Sequence, residues 1–341
     1  MCALPATSRE WHLVARPEGE PKPEDFALRE AAVGAPGEGR VLVRNLYFSV
    51  DPYMRGRMGV TPGYAYFPPY ELNEALGGHA IGEVVAANAP GFEPGDHVLH
   101  FAGWREYADI SAAEATKVGR EGIPLTAYLS VLGMTGLSAY AGLYEVASFK
   151  KGDVVFVSGA AGAVGSQAGQ LARLSGAARV IGSAGTDDKV KTLIEEFGFD
   201  AAFNYRTAPV AEQLAKAAPD GIDVYFDTVG GDHLEAAIAS LNEHGRVAMC
   251  GAIAQYNDIE APPGPRNLAQ AIGKRLSLRG MLVTDFEALQ PRFVEDVSTR
   301  VLSGELTWTE TIVDGIENGT DAFLGLFRGD NTGKMIVRLG H

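Results

Sequence analysis

Cysteine is nearly absent from this 341-residue chain, which contains only Cys2 and Cys250. Two cysteines cannot build a disulfide framework or a four-cysteine structural zinc lobe, so we expect no metal. Long apolar runs are also missing, since none reaches the roughly 18 residues of a membrane span. Residues 1–21 carry charges and prolines where a signal peptide needs an apolar core. We therefore expect a cytoplasmic enzyme with no membrane partner.

Positive charge is also scarce. Lys and Arg total 29 against 43 for Asp and Glu, which gives a formal net charge of -14. This sign repels a phosphate backbone and an anionic membrane surface, so we expect no nucleic-acid partner. An anionic small molecule must be held by a local site of oriented backbone N–H groups and a few placed cations.

The apolar runs that are present change character along the chain. Up to about residue 130 they are short, β-like and broken by glycine and proline, which predicts a mostly β domain. From residue 135 apolar runs such as DVVFVS, ARVIGSA and IDVYFDTV alternate with helix-like segments. This alternation predicts a doubly wound parallel sheet covered by helices on both faces. The last helix-like segment, at about 286–303, is followed by a turn and a strand, and this tail either returns to the first domain or simply ends the second.

The stretch VFVSGAAGAVGSQAGQLA, residues 156–173, resembles a dinucleotide-binding turn with one glycine displaced. Gly162 and Gly165 occupy the second and third glycine positions of G-x-G-x-x-G, where the backbone approaches a pyrophosphate and the helix packs on the strand. Ala160 can serve at the first position if its φ is negative, while Gly159 supplies flexibility one residue earlier. A glycine-rich turn that merely packs is the alternative. The preceding strand, the following helix and further strand–helix units favour a dinucleotide site at a helix N-terminus.

The nature of the dinucleotide depends on the end of the second strand, where NAD enzymes present Asp or Glu to the ribose 2′-hydroxyl. Ser183, Ala184 and Gly185 stand there instead, and Lys189 follows one helical turn later. A lysine suits the 2′-phosphate of NADP. Asp187 or Asp188 could instead serve NAD, and Lys189 could be a solvated helix residue; we predict NADP(H).

Several ordered motifs carry a resemblance to a known family. Nearly the whole chain carries them, in the order VDPYMRGRM, GMTGLSAY, AAGAVGS, FNYR, YFDTVGG, CGAIAQYN and GDNTGK. Together they resemble the prostaglandin reductase, leukotriene hydroxydehydrogenase and curcumin reductase branch of the medium-chain dehydrogenase/reductase superfamily. The resemblance implies a GroES-like, mostly β catalytic domain (1–130 and 305–341), a Rossmann NADP-binding domain (131–304) and a homodimer. It also implies NADPH-dependent reduction of carbon–carbon double bonds conjugated to a carbonyl.

The resemblance also implies a set of cofactor contacts. These fall on Ala161, Gly162, Ala163, Val164, Lys189, Tyr205, Cys250, Gly251, Ala252, Ile253, Tyr256, Met281, Leu282, Val283 and Asn331. Thr228 departs from the family, which often has Asn at this place in the FD-x-VGG motif. Its hydroxyl can still form a hydrogen bond but has a shorter reach.

Zinc alcohol dehydrogenases of the same superfamily use cysteine and histidine ligands. Here His79 is followed by Ala80, and Asp51 stands near the expected position of the first cysteine. An isolated imidazole does not supply the ligands that zinc requires, so we expect His79 to be a packed or capped residue.

Reduction of a conjugated carbonyl compound needs a donor for the oxygen that becomes negative and a proton for the α-carbon. Tyr256 is our catalytic candidate, because a phenol is protonated at neutral pH. Solvent or a cofactor ribose hydroxyl could deliver the proton instead, and Tyr256 could simply pack beside the cofactor. Tyr53, and the aromatic segment at 64–70, could line a substrate pocket or could be structural. A quinone reductase and a non-catalytic NADPH-binding sensor are the alternative functions.

Overall fold

The computed structural model describes residues 4–59 and 67–340, and the chain divides into two units. The first unit runs up to Leu129 and includes Glu310–Asn331 and the residues from Met335 onward. The second unit consists of Ser130–Thr309 and Thr332–Lys334.

The described residues form both strands and helices. The strands are β1 (Thr7–Leu13), β2 (Phe26–Ala32), β3 (Arg40–Ser49), β4 (Ala80–Ala87), β5 (His97–His100), β6 (Tyr107–Ser111), β7 (Thr116–Lys117), β8 (Val154–Val157), β9 (Arg179–Ala184), β10 (Ala201–Asn204), β11 (Ile222–Asp227), β12 (Leu241–Met249), β13 (Ser277–Gly280), β14 (Glu310–Asp314) and β15 (Lys334–Arg338). The helices are α1 (Met54–Arg57), α2 (Met134–Ala141), α3 (Ala163–Leu174), α4 (Asp187–Glu195), α5 (Val210–Ala217), α6 (Gly231–Ser240), α7 (Gln270–Lys274), α8 (Gln290–Ser303) and α9 (Gly319–Arg328).

The first unit is built around an antiparallel sheet in the order β14-β15-β3-β4-β5-β7, and β6 also pairs with β3. β1 and β2 form a separate antiparallel pair. Valines at 41, 43, 84 and 98 are fully buried and pack with Ile110 as one core cluster. The alternation of buried and exposed side chains along β3 is incomplete. Val41, Leu42 and Val43 are all buried, and Arg44 is half-buried. This is the mostly β, GroES-like part of the chain.

The second unit contains a parallel six-stranded sheet in the order β10-β9-β8-β11-β12-β13. The chain order reverses between β8 and β11, which is the switch point where ligands bind in doubly wound sheets. Helices cover both faces, so Val155, Phe156 and Val157 of β8 are all fully buried. The apolar run that predicted this strand is therefore explained, and the Rossmann fold is confirmed.

Two elements of the second unit are irregular. The apolar segment 137–146 forms most of α2 followed by a π-helical turn over Gly142–Val146. A β-carbon on Gly142 would lie 2.6 Å from the Phe226 ring, so close packing on β11 is possible only with glycine there. The run at 276–283 forms a strand only as far as Gly280. Among the described residues, no helix has the length and apolar character needed to cross a bilayer.

Candidate functional site

The glycine turn after β8 has the shape that the displaced glycine requires. Gly159 has φ of 56°, and a β-carbon there would lie 2.6 Å from the Thr228 hydroxyl oxygen. Ala160 does not have a positive φ, and its amide donates to the Ser183 carbonyl at 2.9 Å. The residue with left-handed backbone is therefore Gly159, one position before the first glycine of the G-x-G-x-x-G pattern. Alanine can then occupy that first position. This confirms the expectation for Ala160.

The remaining two glycines control how closely α3 approaches the turn. A β-carbon on Gly165 would come within 2.5 Å of the Gly159 carbonyl oxygen and 2.8 Å of the Ala160 Cα. Gly162 precedes α3 as its N-cap and has no side chain to cap the helix. The first amides of a helix lack intrahelical acceptors and attract anions. A β-carbon on Gly162 would meet only the Gly159 carbonyl within 4 Å, so glycine leaves open backbone that suits a pyrophosphate.

A segment from the end of the chain completes this turn within the second unit. The Gly333 amide donates to the Ala161 carbonyl at 2.8 Å, and Gly333 forms a parallel bridge with Gly162. Gly333 has φ of 66°, and a β-carbon there would overlap the Thr309 carbonyl. Glycine is required at this position, and the GDNTGK motif therefore has a structural reason. Asn331, two residues earlier, belongs to the first unit.

Asp227 is the central acceptor behind the turn. It is 1% exposed, and its Oδ1 accepts from the Tyr225 hydroxyl at 2.7 Å and from the amides of Val229 and Gly230 at 3.0 and 2.8 Å. The Ser158 hydroxyl donates to the same oxygen at 3.3 Å. Burial raises the pKa of Asp227 even though these donors act in the opposite direction. The carboxyl group organises the loop and is not exposed to a ligand.

Thr228 links the loop after β11 to the glycine turn. Its hydroxyl donates to the Ser158 carbonyl at 2.8 Å, and its amide donates to the Ser158 hydroxyl at 3.0 Å. The departure from the family's asparagine therefore has a local effect, since the threonine hydroxyl is engaged by the neighbouring turn. A contact between the Thr228 side chain and a cofactor remains a prediction.

The loop after β12 is tied to the same place. The amides of Cys250 and Gly251 donate to the Asp227 carbonyl at 2.8 and 3.1 Å. Burial raises the pKa of the Cys250 thiol to about 12, which disfavours the nucleophilic thiolate form. The Tyr256 hydroxyl accepts a hydrogen bond from the Ala252 amide at 3.3 Å. Tyr256 therefore lies over its own loop, at the carboxyl edge of the sheet.

The end of β9 presents no acidic side chain. Thr186 caps α4 by accepting from the Lys189 amide at 3.3 Å, which fixes the first turn of that helix. Asp187 accepts from the Asn204 side chain at 2.8 Å. Its carboxylate is therefore held toward β10, which argues against the NAD alternative for Asp187. The Tyr205 hydroxyl lies beside Gly185, where a β-carbon would be only 3.1 Å away.

The segment after β13 packs against α2 and its π-helical turn. The Met281 amide donates to the Met249 carbonyl at 3.2 Å, and the Met281 sulfur would lie 3.0 Å from a β-carbon on Gly142. Val283 is buried, whereas Leu282 is 41% exposed. Met281 and Val283 are thus fixed by the fold, and Leu282 is the accessible side chain of the three.

Tyr53 belongs to the first unit, where it precedes α1. It is buried, and its ring lies 5.2 Å from that of Phe67, which in turn lies 4.8 Å from Phe101. The Arg57 guanidinium lies 3.9 Å above the Tyr70 ring and donates to the Pro68 carbonyl at 2.8 Å. These contacts hold residues 67–70 of the predicted aromatic segment; residues 64–66 lie outside the described residues.

His79 also packs in the first unit. Its ring meets Phe101 edge to face at 4.9 Å, as expected for a packed histidine. Asp51 is buried and accepts a hydrogen bond from the Ser49 hydroxyl. Within residues 4–59 and 67–340, no three His, Cys, Asp or Glu side chains converge as a metal site would need.

Sequence reasoning missed two features of the site. Asp227 stands in the quoted motif, but its role depends on contacts with residues about 70 positions earlier in the chain. Arg206 follows Tyr205 directly, and its guanidinium lies 5.7 Å above the tyrosine ring. The basic residue in FNYR was the available signal for this contact.

Comparison with known proteins places this geometry in a family. Residues 9–118 match the family described as the N-terminal domain of oxidoreductase, and residues 163–299 match the zinc-binding dehydrogenase family. The chain belongs to the medium-chain dehydrogenase/reductase superfamily. Within this superfamily it falls in the zinc-free branch of NADP-dependent curcumin, alkenal and prostaglandin reductases.

Individual members of the superfamily are similar over nearly their whole length. The NADPH-dependent curcumin reductase of Escherichia coli is 39% identical over 337 residues, covering 97% of each chain. The NADP-dependent 2-alkenal reductase of Nicotiana tabacum is 40% identical over 324 residues, covering 94% of each. The crystal structure of CurA from Vibrio vulnificus in complex with NADPH has 38% identity and a TM-score of 0.92, covering 98% of this chain and 99% of that one.

Proposed function

We propose that this chain is an NADPH-dependent reductase of the carbon–carbon double bond in α,β-unsaturated ketones or aldehydes. It transfers a hydride without a metal ion. The observation that carries this proposal is the whole-length similarity to the curcumin and 2-alkenal reductases at 39% and 40% identity. The glycine turn supports it, since open backbone at Gly162 precedes a helix start that suits a pyrophosphate.

The cofactor contacts are part of the proposal. Backbone of Ala161–Val164 would hold the pyrophosphate, and Lys189 with Tyr205 would hold the 2′-phosphorylated ribose. The loops 250–256 and 281–283, together with Thr228 and Asn331, would hold the remainder. The acid-free end of β9 and the engagement of Asp187 by Asn204 favour the phosphorylated cofactor. When bound, NADPH supplies the hydride for the β-carbon of the substrate.

Tyr256 is the proposed hydrogen-bond donor to the substrate. The carbonyl oxygen gains negative charge as the β-carbon is reduced, and a donor aimed at that oxygen lowers the barrier. A phenol accepts and donates through different sites, so the contact with the Ala252 amide is compatible with donation to a substrate oxygen. The same hydroxyl can pass a proton to the α-carbon, or solvent can supply that proton.

Tyr53, in the first unit, is a proposed substrate-contacting residue. Its ring joins Phe67 and Phe101 in an aromatic cluster, which gives an apolar surface suited to a hydrophobic enone. We further propose that the protein is a cytoplasmic homodimer, as the family resemblance implies. Light scattering during size-exclusion chromatography tests the dimer, and cell fractionation tests the location.

A substrate panel tests the reaction. We expect the purified protein to oxidise NADPH with conjugated ketones and aldehydes, more slowly with quinones, and poorly when NADH replaces NADPH. Consumption of NADPH by quinones alone would identify a quinone reductase. Tight NADPH binding with no turnover on any electrophile would identify a sensor.

A tyrosine variant tests the role of Tyr256. Tyr256→Phe should lower kcat by about ten- to a hundredfold, since a donor to a developing charge contributes at least this much, and should leave the Kd for NADPH within a few-fold. Tyr144→Phe is the matched control, because that hydroxyl bonds Ser175 at 2.6 Å in the same unit. Unchanged turnover in Tyr256→Phe would remove this residue from the mechanism.

A further inference from the structure

Tyr205 is contacted from three directions. Its hydroxyl lies beside the backbone of Gly185, and the Arg206 guanidinium lies 5.7 Å above its ring. His233, from the first turn of α6, meets the ring edge to face, with centroids 5.3 Å apart and an angle of 77° between planes. Tyr205 itself is half-buried, so one part of the ring remains accessible at the edge of the sheet.

His233 is an unusual residue for this place. It is only 4% exposed, and its Nε2 has no hydrogen-bond partner among the described residues. Its ring also lies parallel to that of Phe156 on β8, with an interplanar angle of 8° and a centroid distance of 6.5 Å. Burial lowers its pKa to about 4 despite the nearby Asp232, so the imidazole is neutral at neutral pH. Its contacts are those of a flat aromatic ring between the sheet and Tyr205.

We propose that His233 is a positioning residue for the nucleotide site, which holds the Tyr205 ring in the orientation that binds NADPH. This inference rests on the proposed function, because it takes Tyr205 as a contact of the 2′-phosphorylated ribose. Phe156 fixes the imidazole from the sheet side, and the imidazole edge fixes the tyrosine. Without the imidazole, the Tyr205 side chain gains rotamer freedom, which NADPH binding must then remove.

The affinity for NADPH gives a direct measure of this role. Edge-to-face aromatic pairs correspond to about a three- to tenfold effect in an equilibrium constant. We expect His233→Ala to raise the Kd for NADPH by about this factor in titration calorimetry. We expect kcat at saturating NADPH and the KM for the enone to remain unchanged. His233→Phe keeps the ring and should restore the affinity.

A double-mutant cycle separates positioning from general stability. If His233 acts through Tyr205, then His233→Ala should have less than a twofold effect on NADPH binding in a Tyr205→Leu background. Ile238→Ala, further along the same helix, is the control. Because Ile238 is buried, this substitution should lower the melting temperature without changing the Kd for NADPH.

Three outcomes would overturn the proposal. The first is an unchanged Kd in a folded His233→Ala protein, and the second is an additive effect in the double variant. The third is a His233→Phe protein that binds as weakly as the alanine variant, since a ring nitrogen would then be needed in place of a ring edge. A wild-type protein that binds NADPH but reduces no conjugated carbonyl would refute the proposed function and leave these binding tests valid.

Discussion

Gly165→Ala is expected to damage both the stability of the second unit and its affinity for NADPH. The added β-carbon would lie 2.5 Å from the Gly159 carbonyl oxygen and 2.8 Å from the Ala160 Cα. Both atoms are backbone, so neither can rotate away as a flexible side chain would. The start of α3 must therefore move away from the turn, by several tenths of an ångström.

The size of the effect follows from two opposing contributions. Overpacking of this kind costs about 1 to 3 kcal/mol, and the backbone contact places Gly165→Ala near the upper end. Alanine offsets up to about 1 kcal/mol through its better helix propensity. The net loss is about 2 kcal/mol, which corresponds to about 4 to 8 °C in the melting temperature of a unit of this size. Loss of one charge-assisted bond to the pyrophosphate would weaken NADPH binding by about tenfold or more.

Differential scanning calorimetry and NADPH titration measure the two effects separately. Gly273→Ala is the matched control, because Gly273 lies in α7 and a β-carbon there meets nothing within 4 Å. That substitution should leave the melting temperature unchanged or raise it slightly. A Gly165→Ala protein with wild-type melting temperature and affinity would refute the close-packing argument for the third glycine.

Three other perturbations test separate parts of the structure. Lys189→Ala should lower kcat/KM for NADPH by about ten- to a hundredfold, as expected for a charge-assisted bond, and should leave kcat/KM for NADH nearly unchanged; equal losses with both would contradict its role. Thr228→Val removes the hydroxyl that bonds the Ser158 carbonyl and should lower stability by about 1 to 3 kcal/mol, whereas Thr228→Ser should not; a fully stable valine variant in calorimetry would disprove this. Burial lowers the pKa of His100 to about 3 from 6.5. The stability that this buried neutral imidazole contributes is therefore fully present above pH 6.5 and is lost as the pH falls toward 3. The free energy of unfolding drops by about 2 to 3 kcal/mol near pH 4.5. His100→Asn should therefore show a shallower loss of melting temperature in acid, and an identical slope would refute this assignment.

The glycine turn shows how far local sequence can be taken. The sequence predicts the strand and helix on either side of it, and also the displacement of the first glycine from position 160 to 159. Each depends only on φ preferences and apolar runs within about 20 residues. Ala168, Leu171 and Ala172 stand at helical spacing in the sequence, and all three are fully buried in α3.

Other parts of the site depend on contacts that local patterns do not contain. The Thr228 hydroxyl bonds the Ser158 carbonyl, 70 residues earlier in the chain, a contact that no local pattern indicates. Gly142, at the start of the π-helical turn Gly142–Val146, packs closely against Phe226, a contact that no periodicity in α2 could indicate. The imidazole of His233, in the first turn of α6, lies next to Tyr205, which follows β10, and local sequence does not reveal this contact.

The bond from the Gly333 amide to the Ala161 carbonyl also sets an order of events during synthesis. The strand, turn and helix around Ala161 are synthesised and leave the ribosome well before Gly333. We expect nascent chains halted before residue 332 to be cleaved by protease at the turn, and chains that extend past 334 to be protected once released. The nucleotide site would thus be completed late in biogenesis, after the parallel sheet of β8–β13 has had time to form.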